Sequence, residues 1–535
     1  MVALARVLPW FLGAAALLAQ TQGQQDAVDP DPARRFFDDG PVVHVAITLD
    51  PLDRDKLRQR PREYVPATIR IDRDRTGWAD VGIKLKGAAG SFRKIDDRPG
   101  FTVNLGKFGG TERFHGLRRF HLNNGRQDPT RLCEWLGHEI FAAAGYPAPR
   151  VGHARVWLDG EDLGLYVLRE GFDEQFLMRV FGSTNGSLYD GGFCQDIDRP
   201  LEKDAGEGPD DHSDLVRLRQ ACADFDPERT TRLESVLDVD RFIDFMVVEA
   251  MLGHWDGYSQ NRNNFRLWCA AEPGASCFLP HGMDQLFGDA DASVLKHPSA
   301  IVAGVVQQHP VWRRLYRDRL KALLPLLRPG PLVRRIRARA AVLQKELKKV
   351  DRDAAARHKQ AVTGLVARVE ARYRSLEKQQ KAPEPEPLAF RGGDGVMLER
   401  WNAAGETDHI GLQRRSYRGT PALQIVCDSR GDEERRGAFR TSVLLAAGRY
   451  RLCAVARCDD VEPSGSANGK VQGGVRLVVD RASSASLAGD SKWTELQCEF
   501  EVTEFRRNVE LRLELRALDG KAWFRTDSLR LERVE

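Results

Sequence analysis

Two aspartates in the middle of the 535-residue chain, Asp256 and Asp284, stand in segments whose residue types suit phosphate chemistry. They lie at either end of a predicted hairpin, and the segment His254–Asn264 around the first is rich in amide side chains. Phosphoryl transfer needs one carboxylate that accepts or orients the attacking hydroxyl group. It also needs a second carboxylate and an Asn oxygen that hold a divalent metal ion against the phosphates. The sequence therefore predicts phosphoryl transfer.

The spacing within these segments matches that of protein-kinase loops. His254, Asp256 and Asn261 reproduce the pattern H-x-D-x-x-x-x-N, and Asp284 with Phe287–Gly288 is a looser relative of the D-F-G element. Each match alone has a structural alternative, because Asp-x-x-x-x-Asn is common and an Asp before Phe-Gly can cap a turn. Their order and short separation favour the kinase interpretation.

The same residues resemble the core of the CotH (spore-coat protein H) kinase family, in which D…N…NN-aromatic leads to P-x-x-x-D-x-x-F-G. The resemblance spans about residues 42–375, in the family's order. It is carried by six stretches: Val81–Gly87 with Gly90–Phe92, Phe114–Asn124 running into Asp128–Pro129, Gly164–Phe172, Asp256–Trp268, Leu279–Pro280 and Asp284–Gly288.

The resemblance implies an atypical protein kinase that binds ATP with Mg²⁺ or Mn²⁺ and phosphorylates Ser or Thr of secreted or coat proteins. By motif match, Asp256 is the expected catalytic residue and Asp284 the expected metal ligand. Asn261 or Asn264 is expected to assist. Kinase spacing favours Asn261, whereas the family's Asn-aromatic pair includes Asn264.

Candidates for nucleotide binding come from the first half of the chain. Lys86, in a Lys-Gly element, is the candidate phosphate-binding lysine, with Lys84 as the alternative. A strand lysine beside a glycine-rich turn can neutralise phosphate charge, although an exposed strand lysine without a role fits equally well. Glu134 is a candidate partner for that lysine, and Glu170 is a second polar candidate at the nucleotide cleft. Both also suit ordinary surface positions.

Two departures from the family pattern bear on the site. Many family members have an acidic residue two positions before the metal-binding Asp, where this chain has Gly282. The family's K-G-N-S-S-like turn appears as Lys86–Ser91, which loses polar side chains and keeps glycines that allow close backbone approach.

Hydrophobic periodicity predicts how these residues are positioned. Strands alternate between Val42 and Asn104, Asp128 is expected to open a helix, and a hairpin covers Asn264–Leu279. The expected fold class is α+β, an atypical kinase-like (CotH) domain followed by a β-sandwich (jelly-roll) domain. The predicted segments are a signal peptide 1–23, a flexible leader 24–40, the CotH domain 41–378, a Pro/Glu linker 379–390 and the β-sandwich 391–535.

The C-terminal segment has its own resemblance. Trp493–Leu496, Val509–Leu515 and Gly520–Arg525 resemble the last strands of carbohydrate-binding jelly-roll modules, with Arg525 in place of the Asp that usually ends G-x-A-W-F-D. This implies a glycan, such as a cell-wall glycan, as a further partner. Trp401 and Tyr417 are candidates for stacking on sugar, and a buried core role is the alternative for each.

Net charge, the N-terminal segment and the cysteines limit the expected partners, location and disulfides of the protein. Formal net charge is +4 from 81 basic and 77 acidic residues, so nucleic acid is not expected as a partner. Arg6 followed by the apolar run Val7–Leu18 predicts a secretory signal, with a retained anchor as the alternative. We therefore expect a secreted or envelope protein with no stable membrane span after cleavage. Cys269 and Cys277 flank a turn and could form a disulfide.

Three functions remain open from the sequence. The first is an active secreted protein kinase. The second is a nucleotide-binding pseudokinase that serves as a surface adhesin or coat scaffold. The third is a glycan-binding wall protein in which the C-terminal domain matters most.

Overall fold

The computed structural model describes residues 33–534 except for short gaps at 38–39, 73–77, 110–112, 114–115, 224–227, 350, 391–394, 406–408, 429–433, 464 and 468–469. The predicted signal peptide therefore lies outside the described residues. The helices are α1 Pro51–Gln59, α2 Cys133–Ala143, α3 Glu174–Phe181, α4 Ser213–Cys222, α5 Arg229–Glu234, α6 Val239–Leu252, α7 Tyr258–Asn261, α8 Ile301–Gln308, α9 Pro310–Leu323, α10 Pro329–Lys348 and α11 Arg352–Gln379.

The strands fall into an N-terminal, a central and a C-terminal group. The first two groups are β1 Val43–Thr48, β2 Val65–Ile71, β3 Trp78–Lys86, β4 Gly100–Asn104, β5 Arg119–Asn123, β6 Val151–Leu158, β7 Glu161–Glu170, β8 Gly186–Asp190, β9 Glu202–Ala205, β10 Phe265–Ala270 and β11 Cys277–Pro280. The third group is β12 Val396–Met397, β13 Asn402–Ala404, β14 Ile410–Arg414, β15 Ala422–Cys427, β16 Arg435–Glu462, β17 Gly465–Ala467, β18 Lys470–Gln472, β19 Gly474–Val479, β20 Ala482–Ser483, β21 Gly489–Ala517, β22 Asp519–Arg525 and β23 Arg530–Val534.

Seven strands of the N-terminal group close into a barrel in the order β1-β2-β3-β4-β5-β7-β6. Neighbours are antiparallel except β1 and β6, whose parallel pairing closes the barrel at Val45 opposite Val156. The strands alternate between buried and more exposed residues, as in β2, because one face of each strand fills the barrel. This alternation is the pattern that predicts these strands from the sequence.

Residues 33–37 pack against the barrel, where the sequence predicts a flexible leader. Phe36 and Phe37 are 4% and 1% exposed and belong to the barrel core. The apolar surface of these two phenylalanine rings, removed from water, offsets much of the chain entropy lost by ordering this short segment. The predicted leader 24–40 is therefore wrong for these five residues.

A second layer of helices and the four-stranded sheet β11-β10-β8-β9 shares one hydrophobic core with α2 and α6. Helix α6 is buried along most of its length and leads directly into the segment that carries Asp256. It ends at Gly253, whose φ of +63° gives the left-handed conformation that closes many helices. The hairpin β10–β11 then connects that segment to Asp284, as the sequence predicts.

Asp128 does not open a helix directly. Helix α2 begins at Cys133, and the Asp128 carboxylate accepts hydrogen bonds from the backbone N–H groups of Thr130 (2.9 Å) and Cys133 (2.8 Å). The buried carboxylate orders the loop in front of the helix, and the N-cap is Leu132, four residues after the predicted cap Asp128. Glu134 consequently lies in the first turn of α2.

Residues from Val396 to Val534 form a β-domain with its own hydrophobic core. A ten-stranded sheet has the path β14-β15-β22-β16-β21-β19-β20, with β12, β13 and β23 paired beside it. Trp401 is 4% exposed and belongs to the core, so it is not a sugar-stacking residue. The Arg457 guanidinium lies 3.8 Å from the centre of the Tyr417 ring and covers one face of it.

All nine cysteines are free in the described chain. Across the β10–β11 hairpin, Cys277 lies opposite Trp268 rather than opposite Cys269. Successive side chains of a strand point to opposite faces, so the one-residue offset keeps the two sulfur atoms apart. The predicted disulfide between Cys269 and Cys277 is therefore wrong. Within the described residues, none of the helices is both long enough and apolar enough to cross a bilayer.

Candidate active site

A cleft of about 670 Å³ lies between the barrel and the helical layer. It brings together seven of the eight predicted site residues, which come from β3, α2 and the segments on either side of the β10–β11 hairpin. These are Lys84, Lys86, Glu134, Asp256, Asn261, Asn264 and Asp284. The structure therefore places residues that are far apart in the sequence around one cavity.

The Asp256 carboxylate is held by three amide side chains. Asn261 donates to Oδ1 at 2.5 Å, Asn263 donates to Oδ1 at 3.1 Å, and Asn264 donates to Oδ2 at 2.8 Å. An ionised carboxylate offers about four lone-pair sites, so about one is left for a hydroxyl group from outside the protein. Because both Asn261 and Asn264 donate through nitrogen, their amide oxygens are the atoms left to face a cation.

A buried glutamate on α6 anchors the loop that carries Asp256. The Glu249 carboxylate accepts hydrogen bonds from the backbone N–H groups of Tyr258 (2.9 Å) and Ser259 (3.1 Å), at the start of the short helix α7. Burial raises the pKa of Glu249 to about 7, and these hydrogen bonds oppose the increase.

His254 is buried with Nε2 3.2 Å from the His281 carbonyl oxygen, and burial lowers its pKa to about 4.

Asp284 lies in a partly buried, acidic part of the cleft. Burial raises the pKa of its carboxyl group to about 7, the nearby Glu134 and Asp128 carboxylates add to the increase, and Lys86 opposes it.

Gly282, two residues before Asp284, has a φ of +64°, and a Cβ there would lie 2.2 Å from Asn264 Oδ1. The acidic residue that many family members carry at this position does not fit here unless Asn264 moves.

Lys86 and Glu134 are joined through Asn123 rather than directly. Lys86 Nζ donates a short hydrogen bond to Asn123 Oδ1, and Asn123 Nδ2 donates to Glu134 Oε2 at 2.5 Å. On its other oxygen, Glu134 lies 3.5 Å from Arg169 Nε. Burial lowers the pKa of Lys86 to about 7, with Arg169 adding to the decrease and Glu134 opposing it. The predicted lysine–glutamate pairing is therefore present as a bridged contact.

The two remaining lysine and glutamate candidates differ in position. Lys84 lines the cleft with its ammonium 4.8 Å from the centre of the Tyr64 ring. Glu170 does not line the cleft. It is 2% exposed and binds Arg150 at 2.9 Å and Arg179 on another face of β7. Side chains alternate along a strand, so Arg169 faces the cleft and Glu170 points away, and the prediction for Glu170 is wrong.

Several cleft residues were missed by sequence reasoning. Asn263 donates to Asp256, whereas Asn123 and Arg169 contact Glu134 in the network that holds Lys86. Arg266 and His281 contact each other at 2.9 Å in the cleft wall. The stretches that carry Asn123 and Arg169 agree with the family pattern, so the alternation on β5 and β7 could have selected them. No signal in the sequence singles out Glu249, because it lies within an apolar helix.

The donor atoms present suit a hard divalent cation held together with phosphates. In the described part of the chain no group of three or more His, Cys, Asp and Glu residues forms a metal cage. Mg²⁺ in phosphoryl-transfer sites is usually bound by one or two carboxylates with substrate phosphates completing the shell. Asp284 and the free amide oxygens of Asn261 and Asn264 provide that type of incomplete oxygen set.

Comparison with known proteins agrees with this geometry. The family model described as "CotH kinase protein" matches residues 83–376, more than half of the chain. The chain belongs to the CotH kinase protein family. Both aspartates, Lys86, Glu134 and the three asparagines around Asp256 lie within the matched CotH region.

Relatives of this CotH chain carry coat and invasin names. Invasin CotH2 of Rhizopus delemar is 24% identical over 251 residues, covering 43% of this chain and 41% of that protein. Inner spore coat protein H of Bacillus subtilis is 24% identical over 243 residues, covering 42% of this chain and 62% of that protein. The CotH chain thus spans less than two thirds of each of these relatives.

Two solved structures of carbohydrate-binding modules also match part of the chain. TmCBM61 in complex with beta-1,4-galactotriose is 14% identical, with 26% of this chain and 91% of that chain covered and a TM-score of 0.18. The CBM22-1 xylan-binding domain of Paenibacillus barcinonensis Xyn10C is also 14% identical, with 28% and 99% covered and a TM-score of 0.19.

Replacing Glu249 with alanine is expected to lower the free energy of unfolding by about 2–4 kcal/mol, because two buried backbone N–H groups lose their acceptors. The Asp256 loop should lose its fixed position, so any activity of the cleft should fall with it. Urea denaturation followed by tryptophan fluorescence measures the change, with the exposed Glu272→Ala as the control. Equal stability of the two variants would contradict the anchoring role.

Proposed function

We propose that this CotH chain is an atypical protein kinase that transfers the γ-phosphate of ATP to a Ser or Thr hydroxyl of a coat or other extracytoplasmic protein. The observation that supports this most is that Asp256 and Asp284 line one cleft with Lys86. The coat and invasin names of the relatives support a surface or coat location.

In the proposed reaction, the acceptor hydroxyl donates its proton to the one free lone-pair site of Asp256. The hydroxyl oxygen bonds to the γ-phosphorus while the bond from that phosphorus to the β,γ-bridging oxygen breaks, so ADP leaves and the proton remains on Asp256. The three asparagine amides hold the carboxylate in one orientation throughout. Positioning of this kind is the main catalytic resource in phosphoryl transfer.

Lys86 supplies positive charge for the phosphates, and Asn123 orients its ammonium group. A bound Mg²⁺ or Mn²⁺ on Asp284 and the asparagine oxygens would neutralise phosphate charge. Contact with phosphate favours the charged form of Lys86, so its pKa should increase on nucleotide binding. The large exposed rings of Trp255 and Phe193 line the same cleft and offer an apolar surface for the acceptor chain.

The test is incubation of the purified protein with γ-labelled ATP, Mg²⁺ or Mn²⁺ and a casein-like acceptor. We expect label on the protein itself or on the acceptor, and none when the metal is chelated. If ATP raises the melting temperature and no label is transferred under either metal, the chain is a nucleotide-binding pseudokinase. If ATP neither binds nor reacts, the cleft has another role.

A further inference from the structure

A second cavity, of about 490 Å³, meets the cleft at Asn124 and Gly125, which line both. Its wall carries more basic than acidic side chains. Six arginines line it, namely Arg93, Arg98, Arg126, Arg131, Arg155 and Arg357, together with four carboxylates, namely Asp97, Asp162, Glu346 and Asp351. Family membership assigns no role to this cavity.

The four carboxylates already have basic partners. Arg155 pairs with Asp162 at short range, Arg357 with Asp351 at 3.2 Å and Arg93 with Asp97 at 3.6 Å. Glu346 pairs with Lys349 at 2.7 Å, which lies outside the cavity wall. Among the described residues, the remaining three arginines form no salt bridge: Arg98, Arg126 and Arg131.

Two of these three arginines are held side by side. Arg98 Nη2 donates to the Leu165 carbonyl oxygen at 2.7 Å, and Arg131 Nε donates to the same oxygen at 3.1 Å. The buried Nε of Arg98 has no hydrogen-bond partner in the described structure. Burial lowers the pKa of Arg131 to about 10, with the charge of Arg98 adding to the decrease. Two like charges fixed on one carbonyl repel each other, and an anion between them would remove that cost.

We propose that this cavity binds a phosphoryl-bearing anion through Arg98, Arg126 and Arg131. Guanidinium groups match the oxygens of phosphate in a two-pronged geometry, and a doubly charged group balances the unpaired arginines better than a carboxylate does. The volume admits more than a single phosphate ion. The occupant is therefore either a free phosphate compound or a phosphorylated side chain of a peptide, which share this chemistry.

Hydrogen bonds of Asn124 connect the cavity to the cleft. Asn124 Nδ2 donates to the backbone oxygens of Ser91 (3.0 Å) and Arg98 (3.1 Å), so it links an anion-binding arginine to the turn that follows Lys86. An anion bound to Arg98 would fix the position of this turn through the hydrogen bonds of Asn124. Occupancy is thus expected to tighten nucleotide binding in the neighbouring cleft.

The test uses the full chain carrying Lys86→Met and Asp284→Asn, so that phosphate groups no longer bind in the cleft. The probes for calorimetric titration are inorganic pyrophosphate, a phosphoserine peptide and the same peptide without phosphate. Saturable binding of pyrophosphate alone identifies a free phosphate compound, and binding of the phosphopeptide alone identifies a phosphorylated segment. Binding of neither probe overturns the proposal.

Arg126→Gln in the same background locates the site, because Arg126 is exposed, forms no salt bridge with any described residue and should not be needed for folding. It should weaken binding about ten- to hundredfold, the effect of losing one or two charge-assisted hydrogen bonds. The exposed Arg337→Gln makes the same charge change away from the cavity and should leave binding unchanged. Equal weakening by both variants would show general charge attraction and overturn the site.

Discussion

Replacing Asp256 with asparagine is expected to reduce phosphoryl transfer about a thousandfold, within the usual effect of removing a general base. The amide that replaces the carboxylate cannot accept a proton, and it keeps only one oxygen for the three asparagine donors. The transfer rate should fall far more than ATP and metal affinity, because the base acts in the transition state. Initial rates of label transfer and calorimetric binding measure the two quantities.

The matched control for this variant is Asp318→Asn, on the exposed side of α9, which makes the same chemical change outside the cleft. Its transfer rate should equal that of the unmodified protein. A rate for Asp256→Asn within tenfold of the unmodified protein would show that this carboxylate is not the base, whatever its place in the cleft.

Replacing Asp284 with asparagine is expected to make the metal-free protein more stable at pH 8 while removing metal-dependent activity. The pKa of Asp284 is raised to about 7, above the unfolded value near 4, so the folded state binds this proton more tightly. The resulting stabilisation is complete below the unfolded pKa and is lost as pH rises through 7. Asparagine cannot ionise, so the gain should be about 2–3 kcal/mol larger at pH 8 than at pH 5.

Urea denaturation at pH 5 and pH 8 without metal measures this difference, again beside Asp318→Asn. A variant that is less stable than the unmodified protein at both pH values would assign Asp284 a structural role. Divalent metal should stabilise the unmodified protein more at pH 8 than at pH 6, because the proton and the metal compete for the same carboxylate. It should have little effect on Asp284→Asn.

Local patterns in the sequence predict most of the elements that position the site. Alternation in Val65–Ile71 predicts β2 with the bounds that the structure shows, because one face of that strand is buried. Closure of the barrel is not predictable in this way. It depends on the parallel pairing of β1 with β6, which are about a hundred residues apart and carry no local signal for each other.

In the candidate site, too, local contacts are predictable from the sequence and long-range contacts are not. Spacing in one short segment predicts that Asn261 and Asp256 lie together, and the structure places them in contact. Glu170 lies in a stretch that agrees with the family pattern and is a polar candidate for the cleft, but the direction of its side chain depends on a strand register that the motif does not contain. The bridge through Asn123 joins β3, β5 and α2, so it exists only once the barrel has formed.

We propose that Asp256 and Asp284 serve a single metal–triphosphate group in one cleft. A crystal structure with Mn²⁺ and a non-hydrolysable ATP analogue, using the anomalous signal of manganese, tests it directly. We expect the manganese peak on the Asp284 carboxylate with the terminal phosphate facing Asp256. Manganese and nucleotide bound anywhere outside the cleft lined by these two residues would contradict it.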